Sequence, residues 1–319
     1  SVPSMQDGPY IFWENSSRLV LTYYERIQPQ NLTRLIEKTI ETGITDTVAD
    51  GIGWDSNTYP LRHAYSANPW NIKTSGDIFV IGDIHGQYKA LLHLLINNKI
   101  VDSDKNWIFG NGQLVLLGDI FDRGEMVTET LWFLYMLEIQ ARKAGGNVHV
   151  LLGNHEIMAL TGDHRYLNYK YSYFTDYMQM YYFQLYEKNT VLGKWLRKQN
   201  VVARINDYLF LHAGISPRFK ALGIAVSEVN TIVQNYLNSD YLIKSGSPEE
   251  AVLGSFGPQW YRGYMNPEGA DNELTQGFVD NYLSTNGLKR MVLGHNEQVM
   301  INTSFDGKII SADVEIRED

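Results

Sequence analysis

The stretch from Ile78 to Gly86 reads Ile-Phe-Val-Ile-Gly-Asp-Ile-His-Gly, an apolar run of strand length that ends in small and polar residues. The same arrangement recurs further along the chain, and each apolar run is short enough for a buried strand. The later runs cover residues 114–117, 148–152, 208–211 and 291–293. We therefore predict five buried strands, each with a polar motif at its carboxyl end.

Helical patterns separate the first three runs. Residues 90–97 and 126–143 carry leucines and other apolar residues at helical spacing, and the glycine pair at 145–146 can close the second helix. A β-α-β-α-β order predicts a sheet that is at least partly parallel. In open sheets of this kind, functional sites form beyond the carboxyl ends of the strands, which is where the motifs lie.

The first two motifs place carboxylates directly after a strand. Asp83 and His85 are two residues apart, so both side chains point the same way if the strand persists that far. A carboxylate and an imidazole aimed at one point make half of a metal site. Asp119 has the same position after the second run, and we expect Asp122 and Arg123 to begin the next helix.

Histidines follow the other three runs. Asn154, His155 and Glu156 come after the third run, His212 after the fourth and His295 after the fifth. Four of the eight histidines therefore fall in strand-end motifs, which favours a metal or catalytic site over isolated structural roles. The other histidines have no such setting and are interpreted as structural: His63, His93, His149 and His164.

In order and content, the motifs resemble those of the calcineurin-like metallophosphoesterase superfamily over about residues 76–315. Within it, the Asn-His-Glu sequence at 154–156 and the Asp-Arg-Gly sequence at 122–124 resemble the phosphoprotein phosphatases. The long N-terminal extension and the Trp-Tyr-Arg-Gly segment at 260–263 resemble the Shewanella-like branch, which includes a bacterial cold-active protein tyrosine phosphatase. The resemblance implies an α/β fold: a two-sheet β sandwich flanked by helices in an αββα arrangement.

The resemblance also implies a pair of metal ions held by oxygen and nitrogen ligands, a set that suits Zn, Fe or Mn. Asp119 would bridge the two ions. The first ion would also be bound by Asp83 and His85, and the second by Asn154, His212 and His295.

The remaining motif residues resemble the family's catalytic and phosphate-binding groups. His155 resembles the general acid, with Asp122 orienting it. Arg123 and Arg262 resemble the arginines that bind phosphate, and the planar guanidinium fork suits phosphate better than a lysine does.

These roles predict hydrolysis of phosphate monoesters by direct attack of a metal-bound hydroxide, without a phosphoenzyme. Metals and arginines would neutralise charge in the loose transition state, and a protonated histidine would supply the leaving group with a proton. Phosphotyrosine is the favoured substrate because of the tyrosine-specific branch and the aromatic residues between 166 and 186. The alternatives are a protein serine/threonine phosphatase, a dinucleoside polyphosphate hydrolase and a non-catalytic phosphate-binding module.

One segment departs from the eukaryotic serine/threonine enzymes. Those enzymes carry a Ser-Ala-Pro-Asn-Tyr-Cys segment near the C-terminus that shapes the substrate groove. Here residues 301–308 read Ile-Asn-Thr-Ser-Phe-Asp-Gly-Lys, and the tyrosine has no counterpart. The sequence therefore weakens the case for a phosphoserine substrate.

Composition excludes several classes of protein. The chain of 319 residues contains no cysteine, so a cysteine-based phosphatase and a thiolate metal site are impossible. The net charge of −9 gives no general attraction to nucleic acid, and no apolar run approaches the roughly 18 residues that span a bilayer. The partner we expect is a phosphorylated protein or peptide. The start at Ser1 suggests an exported or trimmed chain, so we expect a periplasmic or secreted protein, with the cytoplasm as the alternative.

The chain divides into an N-terminal extension, residues 1–75, packed on a catalytic domain, residues 76–319. In the extension, Tyr10–Glu14 and Leu19–Glu25 predict a hairpin, and Leu32–Thr42 has helical spacing. Residues 50–75 are rich in Gly, Asn, Ser and Pro and are expected to be irregular. The tyrosines and phenylalanines from 166 to 186 predict aromatic packing, or alternatively an aromatic wall beside the substrate.

Overall fold

The computed structural model describes residues 6–27, 32–41, 47–50, 58–62, 64–264 and 273–316. Its strands are β1 (Asp7–Trp13), β2 (Arg18–Ile27), β3 (Leu32–Glu41), β4 (Thr47–Asp50), β5 (Thr58–Leu61), β6 (Asn71–Ile72), β7 (Ile78–Ile81), β8 (Gln113–Leu116), β9 (Asn147–Val150), β10 (Val202–Ile205), β11 (Tyr208–Leu211), β12 (Arg290–Leu293), β13 (Asn302–Ser304) and β14 (Ile309–Ser311).

The helices of the described residues are α1 (Tyr88–Asn97), α2 (Val127–Lys143), α3 (Asn154–Thr161), α4 (Tyr169–Met178), α5 (Val191–Leu196), α6 (Pro217–Ala221), α7 (Val226–Asn238), α8 (Pro248–Leu253) and α9 (Gln276–Thr285), with a 3-10 turn at Tyr182–Tyr186. None of these helices is both long enough and apolar enough to cross a bilayer.

Two sheets form the centre of the catalytic fold. One contains three parallel strands in the order β7-β8-β9, and the other has the order β13-β14-β12-β11-β10-β6. All five predicted strands and both predicted helices between the first three strands are confirmed, as is the parallel pairing.

Alternation along the strands shows that the two sheets pack face to face. In β8 and just beyond it, Val115 and Leu117 join a buried cluster with Phe210 and Val292 of the second sheet. Leu114 and Leu116, which alternate with these residues along β8, point the opposite way, into the larger core that contains the helices. Since successive strand residues face opposite sides, both faces of this sheet are covered. The predicted helix-flanked β sandwich is confirmed.

The N-terminal region forms a three-stranded antiparallel sheet in the order β1-β2-β3. The predicted hairpin is present as β1 and β2, but the predicted helix over Leu32–Thr42 is wrong, because Leu32–Glu41 is the strand β3. β3 pairs with β2 over ten consecutive residues, and the β-branched Ile36, Thr39 and Ile40 suit a strand. The spacing of apolar residues could not report this pairing with another segment.

Residues 50–75 also contain more regular structure than expected. β5 pairs with β4, and β6 pairs in parallel with β10, so the catalytic sheet includes Asn71 and Ile72 from before the predicted boundary at 76. His63 lies outside the described residues.

The aromatic segment divides between packing and exposure. Tyr171, Phe174 and the tyrosines of the 3-10 turn are buried in the core. Tyr166 and Tyr169 are exposed, at 48% and 67% of their surface. Packing therefore accounts for one part of this segment, and the exposed rings remain available to a ligand.

Candidate metal centre and phosphate cleft

The strand-end motifs meet in one place because their loops bond to each other. The backbone N–H groups of Ile84 and His85 donate to the carbonyl oxygen of Asp119, at 3.0 and 2.8 Å. The N–H of Gly294 donates to the carbonyl of His212 at 2.8 Å. These contacts join loops that are far apart in sequence, as the strand order predicted.

Close approach of these loops requires glycine. A side chain on Gly118, whose φ is +109°, would place its Cβ 2.5 Å from the backbone nitrogen of Gly153. A Cβ on Gly153 would lie 2.3 Å from Oδ1 of Asp119. Glycine at 118 therefore lets the two loops approach each other, and glycine at 153 leaves room for the Asp119 carboxylate.

Several predicted site residues have a left-handed backbone that non-glycine residues rarely adopt. They are His85, Asp119, Asp122, Arg123 and His295, with φ between 45° and 68°. Such conformations persist only when surrounding contacts enforce them, and they concentrate at functional sites.

This backbone corrects two expectations. β7 ends at Ile81, so strand alternation does not align Asp83 with His85. A turn aligns them instead, with Oδ2 of Asp83 at 4.0 Å from Nε2 of His85. Asp122 and Arg123 lie in a loop rather than a helix, because α2 begins only at Val127.

Asp119 lies at the centre of the site and is buried. Its Oδ2 is 3.2 Å from Nε2 of His212, 3.8 Å from Nε2 of His85 and 3.8 Å from Nε2 of His155. Its Oδ1 accepts the backbone N–H of His155 at 3.0 Å. One carboxylate oxygen thus faces imidazole nitrogens from three different strand-end motifs.

A second group of nitrogen and oxygen atoms that could bind a metal lies around His212. Nε2 of His212 lies 2.9 Å from Oδ1 of Asn154 and 3.0 Å from Nδ1 of His295. The backbone N–H of His295 donates to Oδ1 of Asp83 at 3.0 Å, which ties the last motif to the first.

The histidines are oriented as metal ligands usually are. Nδ1 of His85 lies 2.7 Å from the carbonyl of Phe121, and Nδ1 of His212 lies 2.9 Å from the carbonyl of Leu117. A carbonyl only accepts, so each Nδ1 carries a proton and Nε2 is the ring nitrogen left to bind a metal. Nε2 of His85 and Nε2 of His295 are buried and have no hydrogen-bond partner among the described residues, a costly state that a cation would relieve.

Electrostatics also favour a cation here. Burial would lower the pKa of His212, but Asp119 and Asp83 outweigh that effect and raise its pKa to about 10. Burial raises the pKa of Asp83 well above its usual value, and the nearby Asp119 and Asp313 carboxylates add to the shift, while His212 reduces it. Burial lowers the pKa of His85 to about 4 and keeps the ring neutral, as a ligand must be. The residues present therefore fit metal ions.

His155 makes a different kind of contact. Its Nδ1 lies 2.5 Å from Oδ2 of the buried Asp122, so the other ring nitrogen faces Asp119. By distance alone, His155, His85 and Asp119 form one possible metal site. Asp119, His212 and His295 form a second, so the two possible sites share Asp119. The carboxylate bond at Nδ1 suits either a metal ligand or a general acid.

The two arginines lie at the mouth of the site. Arg123 and Arg262 are exposed and line a cavity of ≈ 290 Å³ together with Asp83, His85 and His295. Nη1 of Arg262 donates to the carbonyl of His295 and to Oδ1 of Asn296, both at 3.3 Å. A larger cavity of ≈ 620 Å³ lies elsewhere, and none of the predicted site residues lines it.

Three residues at the site had no role in the prediction, although Glu156 was part of the third motif. Glu156 is fully buried and accepts four backbone N–H groups, those of Asp119, Ile120, Phe121 and Gly153, at 2.6–3.2 Å. An acid at the third position of a helix is the sequence signal for such a contact.

The other two are Asp313 and Tyr166. Asp313 is buried in the cavity wall and lies two residues after the end of β14, a strand-end position like those of the predicted motifs. The ring of Tyr166 lies 5.2 Å from the ring of His155, and no local sequence signal indicates that contact.

A helix-flanked β sandwich with carboxylate, imidazole and amide groups converging at its strand ends, beside two arginines, defines a metal-dependent phosphoesterase. The chain belongs to the calcineurin-like phosphoesterase family, whose profile matches residues 76–296.

The proteins to which the chain is similar are also named as phosphatases. Shewanella-like protein phosphatase 1 of Plasmodium berghei is 32% identical over 244 residues, which cover 72% of this chain and 63% of that protein. Shewanella-like protein phosphatase 2 of Arabidopsis thaliana is 26% identical over 282 residues, covering 74% and 70%. The crystal structure of the cold-active protein tyrosine phosphatase of a psychrophilic Shewanella species superposes with a TM-score of 0.86 at 34% identity, covering 98% of this chain and 91% of that one. The chain is a metal-dependent phosphomonoesterase of the protein phosphatase type.

Proposed function

We propose that this protein removes phosphate from phosphotyrosine in proteins, using two metal ions that are Zn, Fe or Mn. The observation that carries the proposal is the position of Asp119, whose Oδ2 lies within 3.8 Å of imidazole nitrogens of His212, His85 and His155. A carboxylate shared by two donor groups suits a two-metal site.

Asp83, His85 and Asp119 would hold one ion, and Asp119, Asn154, His212 and His295 the other. Bound ions of this kind lower the pKa of water near neutrality and neutralise phosphate oxygens. The residues of the chain set the geometry: the carbonyls of Phe121 and Leu117 fix the rings of His85 and His212.

The phosphate would be oriented by the two exposed arginines of the cleft, Arg123 and Arg262. His155 would donate a proton from Nε2 to the leaving oxygen while Asp122 holds Nδ1. The phosphoryl group would pass to water in one displacement, because the chain has no cysteine and the nearby carboxylates of Asp83, Asp119 and Asp122 have other roles.

Support for a tyrosine substrate comes from Tyr166. Its ring is about half exposed and lies 5.2 Å from the ring of His155, where a leaving phenol would be. Aromatic pairs contribute about 0.5–1.5 kcal/mol beyond burial of their area. The structural relative from Shewanella is named for the same activity.

The test combines elemental analysis with rates on matched substrates. One peptide sequence carrying phosphotyrosine, phosphoserine or phosphothreonine, and a dinucleoside tetraphosphate, are assayed with the same metal-loaded enzyme. We expect about two metal ions per chain and the highest kcat/KM on phosphotyrosine. Equal values for phosphotyrosine and phosphoserine would remove the tyrosine preference, and faster cleavage of the dinucleotide would favour a nucleotide hydrolase.

A further inference from the structure

The segment that presents Arg123 lies outside any helix or strand. Arg123 has a φ of 62° and Asp122 a φ of 68°, so neighbouring contacts must hold this backbone in place. On one side, the N–H of Gly124 donates to the carbonyl of His85 at 3.0 Å, and the N–H of Met126 donates to the carbonyl of Gly86 at 3.2 Å. The loop that carries a candidate metal ligand thus supports one side of the segment.

The other side is held by the start of α4. The N–H of Arg123 donates to the carbonyl of Tyr166 at 3.0 Å, and Nδ2 of Asn168 donates to the carbonyl of Arg123 at 2.8 Å. Nζ of Lys170 donates to the carbonyl of Glu125 at 2.7 Å. These contacts occupy two carbonyls of the segment, those of Arg123 and Glu125, so a shift of α4 would move the backbone of Arg123.

Lys170 is itself fixed by the N-terminal sheet. Its ammonium is buried, 3.4 Å from Asp7 of β1 and 3.3 Å from Glu129 of α2. The hydroxyl of Tyr10 donates to Asp7 and lies 3.1 Å from the hydroxyl of Thr128, which joins β1 to the first turn of α2. The buried ammonium therefore lies between two buried carboxylates, and its attraction to both ties α4 to β1 and α2.

We propose that Asn168 and Lys170 are positioning residues that set the phosphate-binding position of Arg123, and that Asp7 extends this support to the N-terminal sheet. The inference rests on the proposed phosphate role of Arg123. It makes the N-terminal region part of the apparatus that binds phosphate, through contacts that end at the backbone of Arg123 and Glu125.

Asn168 offers the cleanest test because its two hydrogen bonds can be separated. Its Oδ1 caps α4 by accepting the N–H of Lys170 at 2.9 Å, while its Nδ2 donates to Arg123. Asn168→Asp keeps an equally good helix cap but cannot donate to that carbonyl. We expect inorganic phosphate to inhibit about two- to tenfold more weakly, the effect of one hydrogen bond, with an unchanged Tm.

A double-mutant cycle with Arg123→Ala shows whether Asn168 acts through Arg123. We expect Arg123→Ala alone to weaken phosphate inhibition by about ten- to a hundredfold, and Asn168→Asp to have no further effect in that background. Full additivity, or no effect of Asn168→Asp alone, would overturn the positioning role and leave the proposed function intact. No effect of Arg123→Ala would remove the phosphate role of Arg123, and the positioning role with it.

Lys170 is tested together with both of its counterions, because Lys170→Met alone leaves two buried carboxylates without a cation. Lys170→Met combined with Asp7→Asn and Glu129→Gln removes all three charges, and we expect weaker phosphate inhibition with metal content unchanged. The matched control is Lys194→Met: Lys194 also joins the N-terminal sheet to the catalytic fold, with Nζ 5.4 Å from the ring of Trp13, but does not contact the Arg123 segment. Equal effects of the two changes would show general loosening and overturn the inference.

Discussion

Asp122 lies 2.5 Å from Nδ1 of His155, and that contact determines which ring nitrogen faces the cleft. Nε2 is directed toward Oδ2 of Asp119 at 3.8 Å, next to the candidate metal ligands. The ring is buried, so its orientation depends on Asp122 rather than on solvent. This is the arrangement expected for an acid that protonates a leaving group.

Replacing His155 by Asn tests this role. We expect kcat to fall by about two to four orders of magnitude, because general acid catalysis contributes about that much. The loss should be smaller for aryl phosphates with acidic phenols, which need less protonation. Metal content, measured by elemental analysis, should persist. A loss of metal, or the same loss of rate for every leaving group, would make His155 a metal ligand or an orienting group instead.

Tyr166 provides the residue-scale test of substrate preference. Tyr166→Ala should lower kcat/KM for a phosphotyrosine peptide by about two- to tenfold, the value of one aromatic pair, and leave the phosphoserine peptide nearly unchanged. Tyr169→Ala is the matched control, since Tyr169 is more exposed and its ring neighbour is Tyr173 of the same helix. If both substrates lose equally, the ring has no part in selectivity.

At the scale of single elements, α3 and the loop after β8 are held together by Glu156. Glu156 belongs to α3, and its carboxylate accepts N–H groups of the loop after β8 and of Gly153, so it fixes Asp119 relative to Asn154 and His155. Burial and the nearby Asp119 raise the pKa of Glu156, and the backbone donors oppose that shift. Orientation of metal ligands by such neighbours affects affinity strongly.

Glu156→Gln keeps the shape of the side chain but replaces one acceptor oxygen by a donor. We expect metal affinity to fall by about 10–100-fold, the usual cost of disturbing groups that orient ligands. Competition with a chelating dye measures the affinity. Thermal unfolding at saturating metal shows whether the fold is retained. Unchanged affinity would mean that the loop positions Asp119 without Glu156.

Glu129 of α2 is buried beside Lys170 of α4 and Asp7 of β1, and it should make the free energy of unfolding depend on pH. Burial raises the pKa of Glu129 from 4.5 to about 7, an effect that Lys170 reduces and Asp7 increases. The folded state therefore binds more protons than the unfolded state between pH 4.5 and 7, and stability should fall as pH rises through that window.

Glu129→Gln should remove this dependence, since the amide is neutral at every pH. Relative to the parent protein, we expect the variant to gain up to about 3 kcal/mol in free energy of unfolding at pH 8 and nothing at pH 4. Urea denaturation at both pH values measures the difference. A variant with the same slope against pH as the parent would show that Glu129 is ionised throughout.

For the whole molecule, metal binding and folding should be linked because ligands come from loops between residues 83 and 295. Removal of metal by a strong chelator should abolish activity and lower the Tm, and Zn, Mn or Fe should restore both. Calorimetry with and without chelator follows the shift. Full activity in a preparation shown by elemental analysis to be metal-free would contradict the two-metal proposal.

The division into residues 1–75 and 76–319 stays a prediction, although β6 joins the catalytic sheet and β1 contacts α2 and Lys170. A periplasmic or secreted location also stays a prediction, which cell fractionation tests.

The sequence alone determined the strands and the residue types at their ends. Short apolar runs indicate buried strands wherever they lie. His212 follows such a run directly, and Asp83 and Asp119 follow one after a single glycine. These signals are local: a run, its end and the polar residue beyond it lie within about ten residues, so they can be seen without the fold.

Only the tertiary structure decided which distant residues meet. Residues 32–41 have helical spacing but form the strand β3, because ten residues of β2 pair with the backbone of β3. The contact of Asp83 with the backbone of His295 joins positions 212 residues apart, and the buried positions of Glu156 and Asp313 depend on the same loop packing. Periodicity describes how one segment presents its side chains, whereas hydrogen bonding and burial depend on what another segment brings to it.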